Sequence, residues 1–310
     1  MTLTRSGQAR LVRRLLRWYG RHGRGSLPWR TTRDPYRTVV SEFMLAQTQA
    51  ERVVPKFEAF VGRFPDLSAL AKASRADVLR EWRGLGYNSR AVRLHRLAQA
   101  VVQRHDGVLP HDRRELRVLP GVGTYTAAAI RAFAFNLDDA PVDTNVRRIV
   151  NRALFGLEYP KPVAPRDLDE RARSLVPHGR AHDWSSALMD LGATLCTARA
   201  PKCLLCPLRA ECVAAPIDAA RLDRLRAAAA ERRPASQRVP FAQTTRYARG
   251  RIVDRLRDLP PGHRISLFDL YDSLAASMAG RTLDELREFV GSLEDDGLVT
   301  RDGTHVALRE

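Results

Sequence analysis

Four cysteines, Cys196, Cys203, Cys206 and Cys212, fall within the stretch CTARAPKCLLCPLRAEC, and the 310-residue chain holds no others. Thiols gathered this tightly in a reducing compartment read as metal ligands before they read as disulfides. The gaps of six, two and five intervening residues contain one C-x2-C pair, where structural zinc usually shows two. Four thiolates also hold an iron–sulfur cluster. Spacing alone leaves cluster, zinc and disulfides open.

A second stretch able to do chemistry is LPGVGTYTAAAI, residues 119–130. Gly121 and Gly123 flank Val122 ahead of a run of small residues. Such a turn lets the backbone approach a ligand and aims the first amides of a helix outward, a ready anion site. It is followed by PVDTNVRRIVNR, residues 141–152, in which Asp143 stands eighteen residues after Tyr125.

The elements that must carry these groups are helical. Residues 8–20 form an amphipathic pattern with Leu11, Leu15, Trp18 and Tyr19 on one side. An irregular stretch punctuated by Gly and Pro follows, GRGSLPWRTTRDPYR. Ser41 reads as the cap of a helix from Glu42 toward Phe60, and shorter helical patterns cover 66–72, 74–83, 87–105 and 112–118. No strand alternation occurs before residue 240, so the first 215 residues are expected to be all-α. Residues 217–245 shift to Ala, Arg and Pro and read as a helix end and a linker. Beyond them, RGRIVDRLRDL, SLFDLYDSLA and RTLDELREFVGSLEDDGLV read as helices, and TRDGTHVALR as a hairpin turning at Asp302-Gly303. Three helices and a hairpin wing are the plan of a winged helix.

Charge narrows the partner. The chain carries 52 Lys and Arg against 35 Asp and Glu, a net +17, with 44% apolar residues for a core. Residues 1–216 hold 36 basic and 20 acidic side chains; residues 217–310 hold 16 and 15. The cysteine-bearing part therefore carries the excess, and a polyanion is the expected partner, with salt-sensitive binding. No apolar run approaches eighteen residues, and the Arg-broken N-terminus lacks the core of a signal peptide, so no membrane and a cytoplasmic location are expected.

Taken in order, LPGVG-x-Y-T-A, V-D-x-N-V-x-R and C-x6-C-x2-C-x5-C resemble the helix-hairpin-helix DNA glycosylases related to endonuclease III (the HhH-GPD superfamily). The resemblance covers residues 25–215. It implies a mainly α, two-lobed fold with a [4Fe–4S] cluster on the four cysteines. The expected organisation is a core of 1–215, comprising a six-helix barrel near 31–139 and a cluster lobe from 1–30 and 140–215. A linker of 216–245 and a small winged-helix-like α+β domain of 246–310 complete it. RDPYRTVVSEFMLAQTQ (33–49), LPWR (27–30) and GLGYNSRAVRLH (84–95) are similar to the MutY-type adenine glycosylases of that superfamily.

By that resemblance Glu42 is the catalytic acid and Asp143 the anion that steadies an oxocarbenium-like sugar, the division of labour of glycoside hydrolysis. Tyr125 and Asn145 would orient them. Lyase relatives carry a Lys where Tyr125 stands; without an amine no imine to the sugar is expected, and the enzyme would be monofunctional. The extruded base would be met by Trp29 and Arg30, the gap filled by Gln47 and Tyr87, and a phosphate held by Gly121, Val122, Gly123 and Thr126. The implied partner is double-stranded DNA with a mismatch or oxidised guanine, bound by a monomer, and the implied reaction is release of adenine opposite 8-oxoguanine or guanine. Thymine or uracil release opposite guanine and non-catalytic binding of damaged DNA are the alternatives. Ala46, Asn88, Thr144 and the Ser185-Ser186 pair depart from the branch's usual residues, and residues 217–310 lack the β-rich Nudix-like domain common in it.

Overall fold

The computed structural model describes residues 4–158, 163–231, 239–278 and 280–310. Residues 232–238 of the expected linker, residues 1–3 and 159–162 of the expected cluster lobe, and residue 279 of the expected winged-helix-like domain lie outside the described residues. In chain order the helices are α1 (Arg5–His22), α2 (Pro35–Leu45), α3 (Ala50–Arg63), α4 (Leu67–Lys72), α5 (Arg75–Glu81) and α6 (Ser89–Arg104). There follow α7 (Arg113–Arg117), α8 (Thr124–Phe133), α9 (Thr144–Leu154), α10 (Pro165–Ser174), α11 (Ala181–Thr194), α12 (Ala219–Glu231), α13 (Thr245–Arg257), α14 (Leu267–Leu274) and α15 (Leu283–Asp295). Strands β1 (Ile265–Ser266), β2 (Val299–Asp302) and β3 (His305–Leu308) all belong to the C-terminal part. The fold is mainly α with a small C-terminal sheet.

The chain divides into two compact units, Met1–Thr38 with His111–Arg117 and Val122–Ser236, and Val39–Pro110 with Val118–Gly121 and Gln237–Glu310. In the first, Leu11 and Leu15 of α1 sink into a core with Val146, Ile149 and Val150 of α9 and Trp184, Ala187 and Leu191 of α11. Trp18 and Tyr19 pack at its margin. The amphipathic periods at i, i+3 and i+4 thus select the buried faces. In the second unit α4 and α5 pack on α6, and α13, α14 and α15 pack together beneath an antiparallel sheet ordered β1-β3-β2. Asp302 pairs with His305 across the turn, so the hairpin forms where Asp302-Gly303 signalled it; β1 adds an edge strand through Ile265 opposite Val306.

One helix differs from the sequence reading. A single helix from Glu42 to Phe60, capped by Ser41, does not form. Asp34 is the capping residue: its Oδ1 accepts from the amides of Tyr36 (2.7 Å) and Arg37 (3.2 Å), and Pro35 opens α2. Proline at the first helical position costs no hydrogen bond and has the helical φ already. Ser41 is buried in mid-helix, and the chain breaks at 46–49 before α3. The expected linker 216–245 likewise contains α12, anchored by the fully buried Leu222.

Candidate active site and cysteine loop

In the second unit, Glu42 sits half-buried on α2 between the buried Val39, Val40, Phe43 and Met44. Five residues on, the helix has ended and Gln47 turns out to the surface with φ 62°. Tyr87 does the same in the loop of residues 84–88, with φ 45° and 37% of the residue exposed. Left-handed backbone at a residue with a side chain costs about 1–3 kcal/mol and persists only where its surroundings enforce it.

Arg90 enforces it. Its Nη1 donates to the carbonyls of Phe43 (2.7 Å), Met44 (2.8 Å) and Ala46 (2.6 Å), and its Nη2 to those of Leu85 (2.9 Å) and Gly86 (3.0 Å) and to Thr48 Oγ1 (3.2 Å). One buried guanidinium thus collects the orphaned carbonyls at the end of α2 and ties the Gln47 turn to the Tyr87 loop. The Trp82 and Tyr87 rings lie 5.5 and 5.6 Å from its centre. Burial lowers the Arg90 pKa to about 10. Sequence reasoning passed over Arg90, although its place in GLGYNSRAVRLH, an arginine at the start of an apolar helix face, was the available signal.

Gly121 has φ 79°, and a Cβ there would stand 2.9 Å from the Phe43 ring. That position therefore needs glycine for both space and conformation. In the first unit Val122 is buried, Gly123 caps α8 without a side-chain bond, and Tyr125 and Thr126 lie half-buried in its first turn.

Asp143 caps α9, accepting from the Val146 amide (2.7 Å) and from Asn145 Nδ2 (3.1 Å). Asn145 Oδ1 accepts from Arg148 Nη2 (2.8 Å), and Arg148 continues to the carbonyls of Gly192 (2.9 Å) and Cys196 (2.8 Å). A chain of polar contacts thus runs from the Asp143 carboxylate to the first cysteine. It requires Gly192, where a Cβ would lie 2.6 Å from Asn145 Cβ. Burial lowers the Arg148 pKa. Trp29 is buried, and Arg30 is bound to the buried Asp190 (2.7 Å), which also accepts from Arg24 Nε (2.8 Å). Burial would raise the Asp190 carboxyl, but the hydrogen bond and charge of Arg30, with Arg24 behind it, hold it below the ordinary range. Ser185 and Ser186 are buried on α11.

The four cysteines are unpaired and line one pocket with Arg152, Lys202 and Arg209. Arg152, 1% exposed, grips Glu158 through two bonds (2.8 and 2.6 Å), the Thr197 and Ala198 carbonyls (2.8 and 3.2 Å) and Cys196 Sγ (3.6 Å). Burial, then the charges of Cys196, Cys212 and Cys203, pushes the Cys206 thiol up to about 12. Among the described residues no three His, Cys, Asp or Glu side chains converge on a single-ion site. Four soft, reduced donors facing one pocket nonetheless form the donor set an iron–sulfur cluster takes.

Residues 40–173 match the model of the HhH-GPD superfamily base excision DNA repair proteins. The chain is 42% identical over 293 residues to the adenine DNA glycosylase of Mycolicibacterium smegmatis, covering 93% of each chain. The adenine DNA glycosylase of Homo sapiens is 39% identical over 208 residues, 64% of this chain and 38% of that one. Among solved structures, a thermostable thymine-DNA glycosylase aligns with TM-score 0.62 and 32% identity over 67% of this chain and 96% of that one. A non-covalent endonuclease III–DNA complex aligns with TM-score 0.58 at 21% identity over 68% and 96%, a likeness of fold. With relatedness of that extent, the chain belongs to the adenine DNA glycosylase family of the HhH-GPD superfamily.

Proposed function

We propose that this adenine DNA glycosylase hydrolyses the N-glycosidic bond of adenine mispaired with 8-oxoguanine or guanine in duplex DNA, and does so without a covalent bond to the sugar. The observation that carries the reading is the Asp143 carboxylate, fixed at the start of α9 by two N–H donors and followed by the Asn145–Arg148 chain. A group held so rigidly suits an anion that must face a developing cation without reorganising. Glu42 donates a proton to the purine, by likeness to the family at N7. The C1′–N9 bond then breaks with its electron pair leaving on the base, and water adds to C1′ as Asp143 stabilises the sugar, the water's released proton restoring the Glu42 carboxyl. Tyr125 and Asn145 orient these groups, and the lack of a lysine at Tyr125 removes the route to an imine.

Gly121, Val122, Gly123 and Thr126, with the uncapped start of α8, receive a phosphate. Gln47 and Tyr87 probe the duplex where the adenine leaves. Trp29 borders the base pocket, and Arg30 acts there through its pairing with Asp190. Cys196, Cys203, Cys206 and Cys212 hold a [4Fe–4S] cluster, which when bound would fix the loop carrying the exposed Arg199, Lys202 and Arg209 toward DNA. The organisation is a core of 1–215 joined through 216–245 to a domain of 246–310, acting as a monomer in the cytoplasm. No helix among the described residues is long and apolar enough to cross a membrane.

A duplex panel of A·8-oxoG, A·G, T·G and U·G tests the reading. Adenine release with no adduct trapped by borohydride is the expected result, abolished in Glu42→Gln while duplex binding persists. The likeness to a thymine-DNA glycosylase keeps T·G in the panel, and release from T·G alone would overturn the proposed substrate. An iron-bearing protein absorbing near 400 nm is expected; a colourless one with stoichiometric zinc would refute the cluster.

A further inference from the structure

Two arginines of the C-terminal domain seize consecutive residues of the loop 84–88, all within the second unit. Arg246 lies over the Tyr87 ring, 4.4 Å from its centroid, donates to the Tyr87 hydroxyl, and has the Phe241 ring 5.0 Å away. Arg257, 5% exposed, reaches from α13 to the Leu79 carbonyl (2.8 Å) and to Asn88 Oδ1 (2.8 Å), with Asp254 (2.7 Å) balancing its charge. A cleft of about 840 Å³ opens beside these contacts, lined in part by Gln47, Tyr87, Phe241, Arg246 and Asp296.

The physical problem at Tyr87 is direction. The residue is exposed on a left-handed turn, so its ring takes its direction from the side chains that contact it. Arg90 approaches the ring at 5.6 Å from within the helical domain, and Arg246 holds it from the C-terminal domain. A guanidinium is suited to this, because its plane stacks on rings while its edge donates to a hydroxyl; an ammonium does only the second. The domain supplying it is close to neutral, with 16 basic and 15 acidic residues over 217–310, so a broad phosphate grip does not account for it. A ring already pointed before DNA arrives loses less freedom on insertion.

We propose that the C-terminal domain is a clamp on the duplex-probing loop, and that Arg246 is a positioning residue that sets mispair discrimination by aiming Tyr87. The proposal rests on the reading of Tyr87 as the probe of the duplex. It gives the domain a role in selectivity exerted through the helical domain's own side chain.

The test uses the full chain and its Arg246→Ala, Arg246→Lys, Tyr87→Ala and Arg246→Ala/Tyr87→Ala variants. Affinity is measured for an A·8-oxoG duplex and for the fully matched duplex, alongside thermal unfolding. Arg246→Ala is expected to cut the mispair-to-matched affinity ratio about tenfold, the scale of a lost cation–π contact with its hydrogen bond. Matched-duplex affinity and melting temperature should stay near wild type, Arg246→Lys should restore little, and the double variant should be no worse than Tyr87→Ala. Equal losses on both duplexes would make Arg246 a plain phosphate contact and overturn the proposal, as would additive losses in the double variant. A collapsed ratio in Tyr87→Ala with an intact one in Arg246→Ala refutes the clamp alone. An intact ratio in Tyr87→Ala refutes the probe itself, and the clamp with it.

Discussion

Arg90 and Arg152 are two buried arginines that each gather loop carbonyls, and their surroundings give them opposite character. Arg152 also grips Glu158, and although burial opposes the charge, the Glu158 hydrogen bond and the Cys196 charge override it and raise its pKa. Arg90 makes its bonds to carbonyls and to Thr48, and burial lowers its pKa to about 10. Carbonyl dipoles and ring faces satisfy donors without cancelling a charge. The cysteine loop is thus hung on a neutralised pair, whereas the turn and loop bearing Gln47 and Tyr87 are hung on a cation. A neutralised anchor tolerates burial; a cationic one holds strained backbone at a cost that shows when any of its carbonyls is freed.

The largest break in this comparison is Arg90→Met. It frees several carbonyls at once and removes what enforces the left-handed turns, so chemical denaturation should show a loss of about 4 kcal/mol. Glu158→Gln follows, turning the neutralised arginine into one like Arg90; about 3 kcal/mol should be lost by the same measurement, since a buried charge is left without its partner. If that variant melts like wild type, the distinction drawn between the two arginines is wrong. Gly192→Ala sharpens the contrast from the catalytic side. The added methyl drives against Asn145, so the maximal single-turnover rate of adenine release should fall about tenfold or more, with a stability loss of about 1–2 kcal/mol.

The smallest expected effect is the acid dependence carried by Asp190. Its carboxyl is depressed in the folded state, so its contribution is fully present above the ordinary carboxylate pKa of about 3.9 and is lost as pH falls below that through the folded value. Melting temperature against pH should drop more steeply below pH ~4 for wild type than for Asp190→Asn, in which this linkage is absent. Parallel curves would mean that another group dominates acid unfolding.

Much of the fold was legible because its signals are local. The Leu11 and Leu15 period, the Asp302-Gly303 turn and the helices of the tail depend on neighbours within a turn or two. The reading failed at Ser41, where a serine ahead of Glu42 imitated a cap; Asp34 with Pro35 competed for the same role, and the backbone amides went to Asp34. It also could not anticipate that the helix would break after residue 45, because the left-handed Gln47 turn is stabilised by an arginine more than forty positions away. On the candidate site, the reading selected the cysteines by type and spacing, and Asp143 and Asn145 by likeness to the family's motif, but not Arg148, Arg152 or Gly192, which join them.

What the sequence alone determined is the chemical inventory and its local framing: the four thiols in one loop, the glycine turn before α8, the capping Asp143, and the family those motifs share. Tertiary structure alone decided which arginines are anchors and whether their charge is balanced, because a guanidinium's state depends on what surrounds it in space. Arg152, Arg246 and Arg257 are indistinguishable among 48 arginines in the sequence, and Arg90 is marked there only by its place ahead of an apolar helix face; burial and partners brought from distant segments give each a different task.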